Sequence, residues 1–203
     1  MQFIYIVFPL NVSLIMIPYQ KEKLENAVCF FAQEHYKKTR HRLYQTFLYK
    51  YLALFDFGHL KAYGKPALGL TYKAMKMGPA PVDLYECRDD PDWSTHFSFR
   101  KDENQNVMVV PKGSPDLDYF SRREIELMQR LIEIYGQGYV TTRIMSNASH
   151  LEILAWQRTF ACQENAVIDF SLEFPGDVLT KPEHELTFPE EVYLVQKGLE
   201  TCI

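Results

Sequence analysis

The sequence is poor in cysteine, and its four cysteines have no paired spacing: Cys29, Cys87, Cys162 and Cys202. Zinc ribbons and redox-active CxxC sites need closely spaced pairs, so both classes are excluded. Thiols without such partners are normally reduced in the cytosol. We therefore expect a cytoplasmic protein.

The short motifs of common catalytic and nucleotide-binding sites are also absent: GxGxxG, GxxxxGK, HExxH and GxSxG. The densest carboxylate group, DDPD at residues 89–92, contains a proline that directs its side chains apart instead of toward one ion. His35, His59 and His150 have no acid or nucleophile at a recognisable spacing. We predict no catalytic residue, no metal site and no cofactor.

The chain also has no large excess of basic or acidic residues, since its net charge is only -4 and its pI is about 5.9. A dedicated nucleic-acid-binding protein usually carries a basic face, so nucleic acid is a disfavoured partner. The apolar stretch at residues 3–17 is shorter than the ~20 apolar residues that span a bilayer, and no membrane association is predicted. Translation could start at Met16, and we expect residues 1–15 to be dispensable for folding.

What the sequence does contain is enough apolar material for one core: 203 residues, 47% of them hydrophobic. Hydrophobic periodicity predicts an α+β, mainly α fold, in which a helical bundle carries one or two small β-hairpins. The helices are expected at 21–36, 42–63, 121–135 and 141–147, from Ser149 onward, and from Thr187 to about Gly198. Strands are expected at 72–77, 96–100, 107–110 and 168–174.

The segment from residue 58 to residue 86 carries the strongest local signals. Gly64 is placed to end a helix in the left-handed conformation, and Pro66 cannot continue that helix. Gly-Pro-Ala-Pro at residues 78–81 is expected to break the following strand as a rigid turn. Pro81 then occupies the position of a first helical residue.

This segment resembles the Panacea domain, the SocA-like antitoxin domain of bacterial and phage toxin–antitoxin operons, which is also described as phage-associated. The residues that carry the resemblance are His59, Lys61, Tyr63, Gly64, Pro66, Tyr72, Gly78, Pro79, Pro81 and Leu84. Further on, Ser149, His150 and Trp156 resemble the domain's C-terminal helix. The resemblance implies a Panacea-like domain over residues 21–162, between an apolar N-terminal extension (1–20) and an acidic strand-and-helix extension (163–203).

The resemblance implies a non-catalytic antitoxin that neutralises a cognate toxin by direct protein–protein contact. One alternative, with precedent in the family, is an adaptor that delivers the toxin to a protease. Another is an enzyme that acts on nucleotides or nucleic acid through the histidines and residues 89–92. The oligomeric state is left open.

We expect toxin contact at the strand after Pro66 and at its neighbours, because tyrosine and methionine are enriched in interfaces. The predicted contact residues are Tyr72, Lys73, Met75, Lys76, Met77 and Tyr85. An unpaired edge of this strand could add main-chain hydrogen bonds. Core packing of the strand, with toxin binding by the acidic tail, is the alternative.

Overall fold

The computed structural model describes residues 17–90 and 92–200, so the expectation for residues 1–15 lies outside the described residues. Within them the mainly helical α+β fold is confirmed, with two separate β-hairpins. The helices are α1 (Gln20–Thr39), α2 (Gln45–Tyr63), α3 (Val82–Glu86), α4 (Arg122–Tyr135), α5 (Thr142–Glu152), α6 (Leu154–Cys162) and α7 (Phe188–Glu200). The strands are β1 (Tyr72–Met75), β2 (Gly78–Pro81), β3 (Phe97–Lys101) and β4 (Val107–Pro111).

Helix α2 is the centre of the fold, because apolar side chains cover most of its circumference and α1, α4, α5, α7 and β2 all pack against it. It ends as predicted at Gly64, whose φ of 75° lies in the left-handed region and whose amide donates to the Leu60 carbonyl. A side chain at Gly64 would collide with the Pro189 carbonyl of α7. Gly64 therefore ends α2 and also leaves the space that α7 occupies.

A buried carboxylate on α2, Asp56, holds the chain that leads into β1. It accepts hydrogen bonds from the backbone amides of Leu68, Gly69 and Leu70. It also accepts one from the Tyr72 hydroxyl, which is 2.9 Å long. Burial raises the pKa of Asp56, and these four donors act against that increase. The loop before β1 is thus fixed to the central helix by one side chain.

The prediction that Gly-Pro-Ala-Pro forms a turn is wrong, because these residues are strand β2. Tyr72 pairs with Pro81 and Met75 with Gly78, so residues 76 and 77 form the turn. Amides alternate in direction along a strand, and the Val82 amide donates to Thr71 on the β1 side. Pro79 and Pro81 therefore fall at positions that face away from β1, where no amide is needed.

The unpaired edge predicted for β1 is also wrong. The second edge of β1 is covered by residues 165–168, which exchange three backbone hydrogen bonds with Tyr72 and Ala74, each 2.8 Å long. The outer edge of β2 carries two prolines, which cannot donate. Strand addition by a partner is consequently disfavoured at both edges of this hairpin.

Two predicted helix starts need correction. Pro81 is the N-cap of α3, one residue before the predicted position. Ser149 does not begin a helix but lies inside α5, where its hydroxyl donates to the Ser146 carbonyl at 2.8 Å. The cap of α6 comes instead from Glu173, whose carboxylate accepts from the Ala155 amide at 2.8 Å and whose pKa is raised by burial.

The remaining local predictions are confirmed at three places. The hairpin β3–β4 forms, Ser121 and Glu124 make a capping box at the start of α4, and the Thr187 amide donates to the Glu190 carboxylate at the start of α7. The strand predicted at 168–174 is wrong, since Phe170–Glu173 is a short 3₁₀ turn. Residues after 162 also contribute buried side chains to the core: Ile168, Phe174, Val178 and Tyr193.

Candidate functional site

The hairpin β1–β2 is anchored to α2 by a buried lysine. Lys50 is 1% exposed, and its amine donates to the Pro79 carbonyl at 2.8 Å. Burial lowers the pKa of Lys50 to about 7, because the charged amine is removed from water. The carbonyl that accepts this bond belongs to the β2 edge that faces away from β1.

Gly78 lies in close contact with α5. Its φ of 98° lies in the region that disfavours side chains. A Cβ built there would lie 2.7 Å from the Ser149 hydroxyl, 3.0 Å from Lys50 Cε and 3.2 Å from His150 Cδ2. The glycine is therefore required by both conformation and space.

An aromatic stack holds the other strand. The rings of His150 and Trp156 are parallel, with centroids 3.9 Å apart, and Trp156 Nε1 donates to the Met75 carbonyl at 3.1 Å. Burial lowers the pKa of His150, the charge of Lys50 lowers it further, and a hydrogen bond with the Met77 backbone acts in the opposite direction. The two stacked rings thus hold β1 against α5 and α6.

The other signature residues lie at the carboxyl end of α2. His59 Nδ1 is 2.7 Å from the Lys65 carbonyl oxygen, and its ring contacts the Tyr63 ring. Pro66 is buried after the helix end. Lys61 donates to the Glu152 carbonyl at the end of α5. These contacts fix backbone positions, as does the fully buried Leu84 on α3.

The predicted contact residues divide between the two faces of the hairpin. Tyr72 is 1% exposed and bonded to Asp56, so its side chain lies in the core and not on the accessible surface of the hairpin. Lys73 and Met75 are half-buried on the opposite face. Lys76, Met77 and Tyr85 are exposed, with exposed fractions of 49% for Met77 and 40% for Tyr85.

A shallow groove of about 210 Å³ lies on this outer face. Lys73, Met75 and Tyr85 line it together with Ala80, Val82, Glu86 and Asn165. Three of the six predicted contact residues therefore line one concave surface.

Sequence reasoning missed one apolar residue beside this surface. Val167, which is 51% exposed, forms a β-bridge with Lys73. We call the combined set the hairpin surface: Lys73, Met75, Lys76, Met77, Tyr85 and Val167.

The chain matches the family model of the SocA-like antitoxin, Panacea domain, over residues 48–157. The matched range runs from α2 to α6 and includes the anchors Lys50, Gly78, His150 and Trp156. It is more than half of the 203 residues. The chain belongs to this family. No curated protein and no solved structure matches the chain in the corresponding comparisons.

Membership of the Panacea-domain family points to an antitoxin-like, non-enzymatic role and implies a toxin partner. In the part of the chain that the structure describes, no three His, Cys, Asp or Glu side chains are grouped so as to hold a metal ion. Asp89 lies 3.6 Å from the Lys101 amine, in a surface ion pair. No described helix is long and apolar enough to cross a membrane.

Proposed function

We propose that this Panacea-domain protein is the antitoxin of a toxin–antitoxin pair and that it neutralises its cognate toxin through the hairpin surface. The observation that carries the proposal is the position of that surface. Exposed apolar side chains and a groove lie directly on the hairpin that the family's signature residues hold in place.

The hairpin surface has the properties of a binding site with a small ordering cost. Lys50 and Trp156 hold β2 and β1 through the carbonyls of Pro79 and Met75, so the backbone is fixed before a partner arrives. The groove can receive an apolar side chain of the toxin, and the exposed side chains of Tyr85, which lines the groove, and Met77, in the β1–β2 turn, can become buried anchors. The charges of Lys73 and Glu86 give the groove polar edges.

The experiment is co-expression with the adjacent gene, with growth rescue and co-purification of the toxin as readouts. Met77→Asp and Tyr85→Ala alter exposed side chains, so circular dichroism and the urea midpoint should stay unchanged while toxin co-purification is lost. Each anchor is expected to contribute about 2 kcal/mol or more to binding.

The matched control is Val195→Asp on α7, because Val195 is 64% exposed and lies outside the hairpin surface. It should leave toxin binding unchanged. If Val195→Asp no longer co-purifies with the toxin while Met77→Asp still does, the contact lies on the C-terminal segment and the proposal is contradicted.

Delivery of the toxin to a protease is the second candidate within the same family precedent. Toxin turnover during co-expression separates the two modes: a masking antitoxin leaves the toxin stable, whereas an adaptor shortens its lifetime only while the protease is active.

A further inference from the structure

A short segment after α6 pairs with the hairpin along the second edge of β1. We call residues 163–168 the covering segment. Three backbone hydrogen bonds, each 2.8 Å long, join it to β1: the Asn165 amide to the Ala74 carbonyl, the Ala74 amide to the Ala166 carbonyl, and the Ile168 amide to the Tyr72 carbonyl. The backbone of the covering segment is therefore fixed to the hairpin.

Both ends of the covering segment are anchored as well. At one end, the Gln163 amide donates to the Thr159 carbonyl of α6 at 2.8 Å. At the other end, Ile168 is 5% exposed in the core, and the ring of Phe170 contacts the ring of Phe57, with centroids 4.9 Å apart. The segment thus presents its outward side chains from a backbone that a partner does not have to order.

Two side chains of the covering segment lie where a partner in the groove would meet them. Because side chains alternate along an extended backbone, Val167 faces away from buried Ile168, and it lies beside its bridge partner Lys73. Asn165 lines the groove itself. A toxin that fills the groove would therefore contact Asn165 and Val167 together with the hairpin.

The backbone at Asn165 restricts which residues fit there without fixing their chemistry. Asn165 has a φ of 63°, in the left-handed region that asparagine, aspartate and glycine adopt more readily than other residues. Its side chain is exposed, and the amide offers both a hydrogen-bond donor and an acceptor. The hydrogen-bonding groups at this position can therefore change while the backbone stays the same.

The covering segment lies outside the range that matches the family, which ends at residue 157. Lys73, Met75 and Tyr85, which line the same groove, lie within that range. One groove thus combines side chains from the part of the chain that follows the family's sequence pattern with a side chain from a segment that the pattern does not cover.

We propose that the covering segment determines which toxin this antitoxin accepts, Val167 through apolar contact and Asn165 through hydrogen bonds to polar groups of the toxin. This inference rests on the proposed function, because it requires the toxin to bind at the hairpin surface. Specificity is a difference between affinities for two partners. The anchored hairpin supplies contacts to any toxin that fits the groove, and the covering segment supplies the difference.

Substitutions that keep the backbone unchanged test the two contacts. Asn165→Gly tolerates the same φ but removes the amide, and it should weaken binding of the cognate toxin by about threefold to tenfold. Val167→Thr keeps the branched shape but adds a hydroxyl, and it should weaken binding by about tenfold. Isothermal titration calorimetry with the purified toxin measures both effects, and the urea midpoint checks that each variant remains folded.

Each variant has a matched control outside the hairpin surface. Gln105→Gly removes an exposed side chain at a φ of 64° in the β3–β4 loop. Val195→Thr makes the same change as Val167→Thr on α7, at a residue that is 64% exposed. Both controls should bind the cognate toxin as the wild type does.

Specificity itself is tested by selection. A library that varies residues 165 and 167 is selected for growth against a toxin that is encoded beside another Panacea-domain gene and that the wild type does not neutralise. A library at residues 105 and 195 is the control. Rescue by variants from the first library alone is the expected result.

Two results would overturn the inference while the proposed function stands. In the first, Met77→Asp and Tyr85→Ala lose the cognate toxin, but Asn165→Gly and Val167→Thr bind it as tightly as the wild type. In the second, the two libraries give the same number of rescuing variants, including none. If Met77→Asp and Tyr85→Ala both retain the toxin, the proposed contact at the hairpin surface is refuted, and this inference with it.

Discussion

Replacement of Gly78 by alanine tests whether the hairpin is held by close contact with α5. The new methyl group would approach the Ser149 hydroxyl to 2.7 Å and Lys50 Cε to 3.0 Å. Neither neighbour can move freely, because Ser149 is bonded to the Ser146 carbonyl and Lys50 to the Pro79 carbonyl. We expect the hairpin to shift away from α5 and the protein to lose stability.

Two costs add in this variant. A non-glycine residue at positive φ costs about 1–3 kcal/mol, and overpacking of a buried contact costs about 1–3 kcal/mol more. The sum, roughly 2–6 kcal/mol, is a large part of the ~5–15 kcal/mol that stabilises a typical protein. At about 2–4 °C per kcal/mol for a chain of this size, the melting temperature should fall by roughly 4–24 °C.

Gly176→Ala is the control, because Gly176 has a φ of 76° and nothing within 4 Å of the position of a Cβ. Gly176→Ala incurs only the cost of the positive φ, so the free energies of unfolding of the two variants, measured in urea, should differ by about 1–3 kcal/mol. Equal destabilisation would show that the approach of Gly78 to α5 does not constrain the hairpin, and the reasoning above would be refuted.

Three further predictions concern stability. Lys50→Met should flatten the pH dependence of the free energy of unfolding between pH 7 and about 8.5. The Lys50 amine has a pKa of about 7 in the folded protein and 10.5 in the unfolded chain, so the unfolded chain binds more protons and wild-type stability rises with pH, by up to about 1.4 kcal/mol per pH unit. If the free energies of unfolding of the two proteins, measured in urea, change equally with pH, the prediction is refuted. Tyr72→Phe removes a donor to buried Asp56 and should cost about 1–3 kcal/mol, whereas exposed Tyr85→Phe should change stability by less than about 0.5 kcal/mol in the same urea assay. Truncation after Cys162 should abolish the cooperative thermal transition followed by circular dichroism, because it removes buried side chains; a native-like transition would contradict this.

The features that sequence reasoning predicted well are those whose chemistry is complete within one helical turn. Gly64 ends α2 through its own φ and a bond to Leu60. Ser121 and Glu124 satisfy each other's amides at the start of α4. Helix bounds that depend on such contacts can be read from residues three or four positions apart.

The features that it missed depend on partners far along the chain. Gly-Pro-Ala-Pro has the local composition of a turn, yet β2 is stabilised by pairing with β1 and by Lys50, 29 positions before Pro79. Helix α6 likewise receives its cap from Glu173, 18 positions after Ala155. Local propensity carries no information about either contact.

The orientation of the candidate site was the hardest feature to predict, for a definite physical reason. Alternation along β1 separates Tyr72 from Lys73 and Met75 but does not say which face is buried. Asp56 decides it: a carboxylate within the apolar circumference of α2 must be hydrogen-bonded, and the Tyr72 hydroxyl is one of its donors. Once Tyr72 faces inward, Lys73 and Met75 must face outward, and the groove of the hairpin surface forms on their side.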